Sequence, residues 1–81
     1  MTPQELEHHI AEALSEVAPE ADTAQLDPNK AFRDQLDLDS IDFLRFVIAL
    51  ETAIGTKIPE VDYPKLSSLR GCTSYLETRL P

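Results

Sequence analysis

Apolar residues recur at helical spacing in three segments of the chain, separated by stretches that contain prolines and acidic residues. The first segment carries one apolar stripe, formed by Leu6, Ile10, Ala13, Leu14 and Val17. Thr2 and Glu5 have the spacing of a capping box, with a proline at the first helical position. We therefore predict a helix from about residue 3 to 17, which Pro19 ends.

The second segment predicts a long helix over about residues 40–54. Asp39 is suited to be its N-cap and Asp42 to favour the positive end of the helix dipole. Gly55 is suited to close the helix. A wide apolar face is predicted to face the core, and it consists of Phe43, Phe46, Val47, Leu50 and Ile54.

A second apolar strip on this helix, Ile41, Leu44 and Ile48, shares its side with acidic Glu51. Two interpretations stay open for these residues. They belong to the core as well, or they form a half-exposed surface on which another protein docks, because apolar residues beside charges often mark an interface.

The third segment predicts a helix from a cap at Ser67 or Ser68 to about Arg79. Its inner stripe consists of Leu69, Cys72, Thr73, Leu76 and Leu80. Tyr75 lies off the centre of that stripe, so its hydroxyl is expected in water. Gly71 weakens the helix by about 1 kcal/mol relative to alanine and permits close packing. Cys72 is interpreted as a small core residue rather than a reactive thiol.

The connections between these helices differ in length. Residues 18–39 form a long loop. Within it, Asp27-Pro28 is suited to start a single helical turn through Lys30 to Arg33. Leu26, Phe32, Leu36 and Leu38 are available to pin it to the core. After Ile58-Pro59, residues 60–65 leave room for one turn, and Pro64 makes that turn short or irregular.

The fold class is thus all-α: a small bundle of three main helices and one short helix, in a single domain over residues 1–81. The net charge of −8 argues against nucleic acid and anionic membranes as partners and favours basic protein surfaces. The one cysteine excludes an internal disulfide and fits a reducing compartment. With no membrane-length apolar run, a cytoplasmic protein is expected.

Ser40 begins the second long helix, and the chain supplies no base to activate it. His8 and His9 lie in another segment and point about 100° apart, so they do not chelate a metal together. We predict no metal site and no catalysis by the chain itself. Ser40 is either an ordinary first-turn residue or a serine that reacts only when another enzyme binds it.

These residues resemble those of acyl carrier proteins. Asp39-Ser40-Ile41 is similar to the Asp-Ser-Leu signature of that family, and the likeness extends from about residue 32 to 77. It continues through the Val47–Glu51 segment, Ile58-Pro59-Glu60, Leu66-Ser67-Ser68-Leu69 and Tyr75-Leu76.

The resemblance implies a four-helix bundle in which a phosphopantetheinyl transferase links 4′-phosphopantetheine from coenzyme A to Ser40, with Asp39 as a flanking recognition residue. Such a protein is a monomeric carrier, not an enzyme, and holds acyl groups as thioesters for partners with basic patches. The implied docking residues are Asp39, Ile41, Leu44, Ile48, Glu51 and Glu60. The implied lining of an acyl-binding cleft is Phe46, Ile54, Ile58 and Leu66.

Two positions depart from the family pattern. Asp37 replaces a common glycine, and Arg45 occupies a position that is often acidic, which favours a specialised carrier with dedicated partners. Acyl cargo of fatty-acid, polyketide or related pathways is expected, with aminoacyl or peptidyl cargo as the alternative. A different class, an acidic helical adaptor that is never modified, also fits the composition, and a small enzyme fits less well.

Overall fold

The computed structural model describes residues 1–79 and shows an all-α molecule built around one hydrophobic cluster. Its four α-helices are α1 (Pro3–Val17), α2 (Phe32–Leu36), α3 (Ser40–Ile54) and α4 (Leu69–Arg79). Two 3-10 segments, Thr23–Gln25 and Glu60–Leu66, lie in the connections. The predicted fold class is confirmed: three long helices and one short helix.

The first helix begins and ends where the pattern predicts. The backbone N–H of Glu5 donates to Thr2 Oγ1 at 3.2 Å, and the Glu5 carboxylate accepts from the N–H of Thr2 at 3.4 Å. This reciprocal cap satisfies two donors that an uncapped helix leaves open. The predicted stripe is buried at four positions, Leu6, Ile10, Ala13 and Leu14, and Val17 packs at its edge.

The core forms where α1 packs against α3 and α4. From α3 it receives Phe46, Val47 and Leu50, all completely buried, whereas Phe43 and Ile54 are only partly buried at its edge. The Phe46 ring meets that of Phe32 edge-on, with centroids 5.3 Å apart. Burial of such aromatic and aliphatic side chains is the main force that holds a small bundle together.

The long connection is pinned to the core as predicted. Phe32 and Leu38 are buried, and Leu26 and Leu36 pack against the core from outside. The prediction of a helical turn from Lys30 to Arg33 was wrong, because the turn is α2 and begins at Phe32. Asp27 instead closes a local turn, in which its carboxylate accepts from the N–H of Asn29 at 2.9 Å.

A short backbone pairing joins this connection to the start of α4. The N–H of Phe32 donates to the carbonyl of Ser67 at 2.8 Å, beside a single bridge between Ala31 and Ser68. Ser68 also caps α4, since its Oγ accepts from the N–H of Gly71 at 3.0 Å. The beginning of α2 is therefore tied to the beginning of α4.

The segment before α4 is the short irregular element that Pro64 predicts, a 3-10 helix over Glu60–Leu66. On α4, Cys72 and Leu76 are buried, and Leu69 and Thr73 are partly buried. Leu80, which the pattern placed on the same stripe, lies outside the described residues.

The expectation that the Tyr75 hydroxyl lies in water was wrong. Tyr75 is buried, and its hydroxyl donates to Asp62 Oδ2 at 2.6 Å, which links α4 to the 3-10 segment. This hydrogen bond is the main reason that the pKa of Asp62 is lowered. Burial, followed by the same bond, raises the pKa of Tyr75. Lys65 and Arg79 lie 3.4 and 3.7 Å from the Asp62 carboxylate.

Candidate functional site

The candidate site is the corner where α2 turns into α3. Asp37 ends α2 in the left-handed conformation, with φ 54° and ψ 46°. Leu38 then enters the core, which anchors the corner. Asp39 caps α3: its Oδ1 accepts from the N–H of Asp42 at 2.7 Å, and Asp42 Oδ2 accepts from the N–H of Asp39 at 3.3 Å. The predicted N-cap is confirmed.

Ser40 is the first residue of α3 and is exposed. Asp39 and Asp42, which flank Ser40 in sequence, form the cap of α3 together. The Ser40 hydroxyl is therefore not needed to hold the start of the helix. Its nearest side-chain partner is Arg33 on α2, whose Nη2 donates to Ser40 Oγ at 3.4 Å. An accessible hydroxyl beside a guanidinium fits the attachment of a phosphate ester, which is anionic and accepts hydrogen bonds strongly.

Among the side chains of residues 1–79, only that of Arg33 is hydrogen-bonded to Ser40 Oγ, and a guanidinium is not a base. His8 and His9 lie on α1, where their ring nitrogens are 3.0 and 3.6 Å from Glu12 Oε1. Burial raises the pKa of the Cys72 thiol, and its Sγ donates to the carbonyl of Leu66 at 3.3 Å. Within residues 1–79 there is no group of three or more side chains suited to hold a metal ion. The corner therefore presents Ser40 without activating it.

The apolar strip next to Ser40 lies on the outside of α3. The exposed fractions of its side chains are 63% for Ile41, 45% for Leu44 and 51% for Ile48. The structure thus decides between the two interpretations left open by the sequence: these residues are not core. They form an apolar stripe that runs away from Ser40 along the helix.

The two acids expected beside this stripe differ in their surroundings. Glu51 is partly buried, and its Oε2 accepts from the N–H of Ile58 at 2.7 Å, so it holds the loop after α3. Glu60 is exposed at the start of the 3-10 segment. The next residue, Val61, is 84% exposed and was not singled out by the sequence pattern.

Three of the four residues expected to line an acyl-binding cleft belong to the buried core. Phe46, Ile58 and Leu66 are buried, and Ile54 is partly buried. An acyl chain would reach the three buried side chains only if the bundle opened around them. Their role as a cleft remains a prediction.

Arg45 projects on the α1 side of α3. It lines an open groove of about 470 Å³ together with Glu12 and Glu16 of α1 and with Ile48, which also belongs to the apolar stripe. None of the ion pairs within residues 1–79 involves Arg45. The edge of the stripe thus carries a positive charge that is not neutralised by a direct pair.

Two further residues of the site have no signal in the sequence pattern. Arg33 is seven residues before Ser40, a separation that follows no single periodicity, because a helix end and an extended step lie between them. Gln35 fixes the loop before α2: its side chain accepts from the N–H of Asp27 and donates to the carbonyls of Asp27 and Lys30.

Comparison with known proteins agrees with this geometry. The family model described as "Phosphopantetheine attachment site" matches residues 5–76. The acyl carrier protein of Micrococcus luteus is 32% identical over 71 residues, covering 84% of this chain and 88% of the relative. The acyl carrier protein of Lactobacillus johnsonii is 35% identical over 79 residues, or 96% of each chain.

A further relative is the meromycolate extension acyl carrier protein of Mycobacterium tuberculosis, 30% identical over 77 residues, which are 95% of this chain and 66% of that protein. Within the part that the structure describes, no helix is long and apolar enough to cross a membrane. The match over most of the chain, together with the all-helical bundle, establishes the class: the chain belongs to the acyl carrier protein family, whose members are phosphopantetheine-bearing carriers and not enzymes.

Proposed function

We propose that Ser40 is the attachment residue and that the chain carries acyl groups for partner enzymes of fatty-acid, polyketide or related specialised biosynthesis. One observation carries the proposal: the exposed hydroxyl of Ser40 stands at a helix start that other side chains hold in place. When bound, the 4′-phosphopantetheine arm supplies a thiol that holds the cargo as a thioester. A monomeric state, a cytoplasmic location and a single domain over residues 1–81 are part of the proposal.

The attachment needs a transferase, because no side chain of residues 1–79 accepts a hydrogen bond from the Ser40 hydroxyl and the neighbouring Asp39 and Asp42 carboxylates are engaged in the helix cap. Ser40 Oγ forms a bond to the phosphorus on the pantetheine side of coenzyme A. The bond between that phosphorus and the oxygen that bridges the two phosphorus atoms breaks. 3′,5′-ADP leaves, and the hydroxyl proton passes to a base of the transferase. The part of this chain is to present the hydroxyl, with Asp39 beside it as a recognition residue.

The measurement that tests the attachment is intact mass after incubation with coenzyme A and a broad-specificity phosphopantetheinyl transferase. We expect the wild type to gain one phosphopantetheine and Ser40→Ala to gain none. Ser74→Ala, which removes another exposed serine, is the matched control and should gain one. A folded wild type that gains no mass would favour the acidic adaptor that is never modified.

The apolar stripe is the docking surface in this proposal, with Asp39, Glu51 and Glu60 as acids that face basic patches. Exposed Ile41, Leu44 and Ile48 are suited to this because buried apolar anchors dominate binding energy at interfaces. We expect Leu44→Ala to lower the kcat/KM of the transferase reaction by about tenfold. Helix content by circular dichroism should stay unchanged, and Ser74→Ala should retain the full kcat/KM.

Arg45 supports dedicated partners over a general fatty-acid carrier. A positive charge at the edge of the stripe repels a basic patch, and such repulsion is a common source of specificity. We expect Arg45→Glu to exchange cargo with carrier enzymes of unrelated pathways faster than the wild type does. Arg70→Glu, on α4, is the charge-matched control. Efficient exchange of the wild type with all such enzymes would contradict the proposal, and a loading assay with amino acids tests the aminoacyl alternative.

A further inference from the structure

The guanidinium of Arg33 donates a hydrogen bond directly to the Ser40 hydroxyl, Nη2 to Oγ at 3.4 Å. This contact spans two elements, since Arg33 belongs to α2 and Ser40 to α3. A guanidinium has five N–H donors, of which this contact occupies one. The remaining N–H donors can bind a further acceptor next to Ser40.

The position of Arg33 is fixed by the residue before it. Phe32 is completely buried, packs edge-on against Phe46, and donates its N–H to the carbonyl of Ser67 at 2.8 Å. Gln35, on the other side, holds the preceding loop through three hydrogen bonds. Because α2 is held at both ends, Arg33 is presented to Ser40 by a rigid support rather than by a mobile loop.

Acids surround Arg33 in sequence but do not pair with it. None of the ion pairs found in residues 1–79 involves Arg33. The carboxylates of Asp39 and Asp42 are engaged by the helix cap, and each accepts from the backbone N–H of the other. The guanidinium is therefore available to an anion at Ser40.

We infer that Arg33 binds the phosphodiester formed on Ser40 and fixes the direction in which the attached arm leaves the protein. Esterification makes Oγ a weak acceptor and places anionic oxygens two bonds beyond it, on the phosphorus, where the guanidinium reaches them. Paired hydrogen bonds from arginine suit phosphate geometry better than the point charge of lysine does. This inference rests on the proposed attachment at Ser40, and Arg33 is a positioning residue within it.

The test compares the apo and phosphopantetheinylated forms of the wild type, Arg33→Ala, Arg33→Lys and Arg33→Glu. Two quantities are measured: the change in Tm on modification, and the ³¹P chemical shift of the modified protein. Comparing each variant with its own apo form removes any effect that the substitution has on folding. Arg45→Ala is the control, because it removes a cation of the same type from α3.

We expect the change in Tm on modification to be about 2–4 °C more positive in the wild type than in Arg33→Ala. This is the size expected of a weak exposed ion pair in a small domain. Arg33→Glu should reverse the sign, and Arg33→Lys should retain part of the effect. The ³¹P resonance should move in Arg33→Ala but not in Arg45→Ala, and 1 M salt should reduce the difference.

Two outcomes overturn the inference, and they are distinguishable. If all variants gain the phosphopantetheine mass but show the same change in Tm and the same ³¹P shift, the attachment stands and the role of Arg33 is wrong. If the folded wild type gains no mass, the proposed function fails and the inference fails with it.

Discussion

At the scale of single residues, Asp37 has a backbone conformation that most side chains avoid, with φ 54°. It is the only residue other than glycine with positive φ in the described part of the chain. A left-handed residue costs about 1–2 kcal/mol, and aspartate tolerates it better than most because its short side chain bonds locally. The departure from glycine that the sequence showed is therefore also a strained point at the corner before Ser40.

Replacing Asp37 by glycine should relieve this strain. We expect Asp37→Gly to increase the free energy of unfolding by up to about 1 kcal/mol, measured by urea denaturation. Asp37→Asn removes the same charge and keeps a side chain that tolerates positive φ, so it should change stability less. Equal gains for both variants would mean that charge repulsion, and not backbone strain, is relieved.

Gly71, unlike Asp37, occupies a position where glycine is needed, because there is no room for a side chain. A Cβ at this position would lie 2.5 Å from the carbonyl oxygen of Lys65, a backbone atom that cannot swing away. Gly71→Ala gains about 1 kcal/mol of helix propensity and loses more to overpacking, so we expect a net loss of about 1–2 kcal/mol in thermal or urea unfolding. Ser74→Ala, an exposed change on the same helix, should have little effect.

At the scale of elements, the connection between α1 and α3 behaves as structure and not as a flexible loop. Its stability depends on Phe32 and Leu38 in the core and on Gln35, whose side chain makes three hydrogen bonds to the backbone of Asp27 and Lys30. This element carries Arg33 and leads into Ser40, so its order determines the order of the site.

Removing the Gln35 side chain should loosen that element. We expect Gln35→Ala to lower the free energy of unfolding by about 1–3 kcal/mol, because a partly buried N–H and two carbonyls lose their partner. Hydrogen exchange at the amide of Asp27 should accelerate, while exchange in α1 should follow only the global change. Lys30→Ala leaves the backbone bonds in place and should be nearly neutral; an equal loss there would contradict this account.

At the scale of the whole molecule, the Asp62–Tyr75 hydrogen bond makes stability depend on pH. The pKa of Asp62 is lowered from its ordinary 3.8, first by the bond from Tyr75, so the unfolded chain binds a proton more readily. Stability contributed by Asp62 is present above pH 3.8 and is lost as pH falls through the lower folded pKa. Tyr75, whose pKa is raised from 10.0, contributes stability below pH 10 that is lost in alkali.

Tyr75→Phe should therefore lower stability at pH 7 and flatten both pH dependences. We expect its free energy of unfolding to fall less steeply than that of the wild type as pH drops below 3.8 and as it rises above 10.0. Tyr63→Phe, a substitution of the same type within the Glu60–Leu66 segment, is the control. A wild-type slope that persists in Tyr75→Phe would show that other carboxylates dominate acid unfolding.

The sequence pattern predicted the long helices and their caps, because burial of one face and capping depend on residues three or four positions apart. It also predicted that Asp39 caps α3 and that Ser40 lies at the start of that helix. It did not predict the Arg33–Ser40 contact, the loop bonds of Gln35, or the Tyr75–Asp62 bond across thirteen residues. These contacts depend on how separate elements meet, which no local periodicity records.

The burial of Cys72 has a chemical consequence for a protein that handles thioesters. The sequence contains one cysteine, and its thiol is enclosed in the core with a raised pKa. Because thiolates and not thiols attack thioesters and alkylating reagents, the polypeptide does not compete for its own cargo. A maleimide should therefore label the folded apo protein at none of its sulfur atoms and the modified protein at one. The only thiol that reacts in the folded protein is therefore the one that an attached arm supplies.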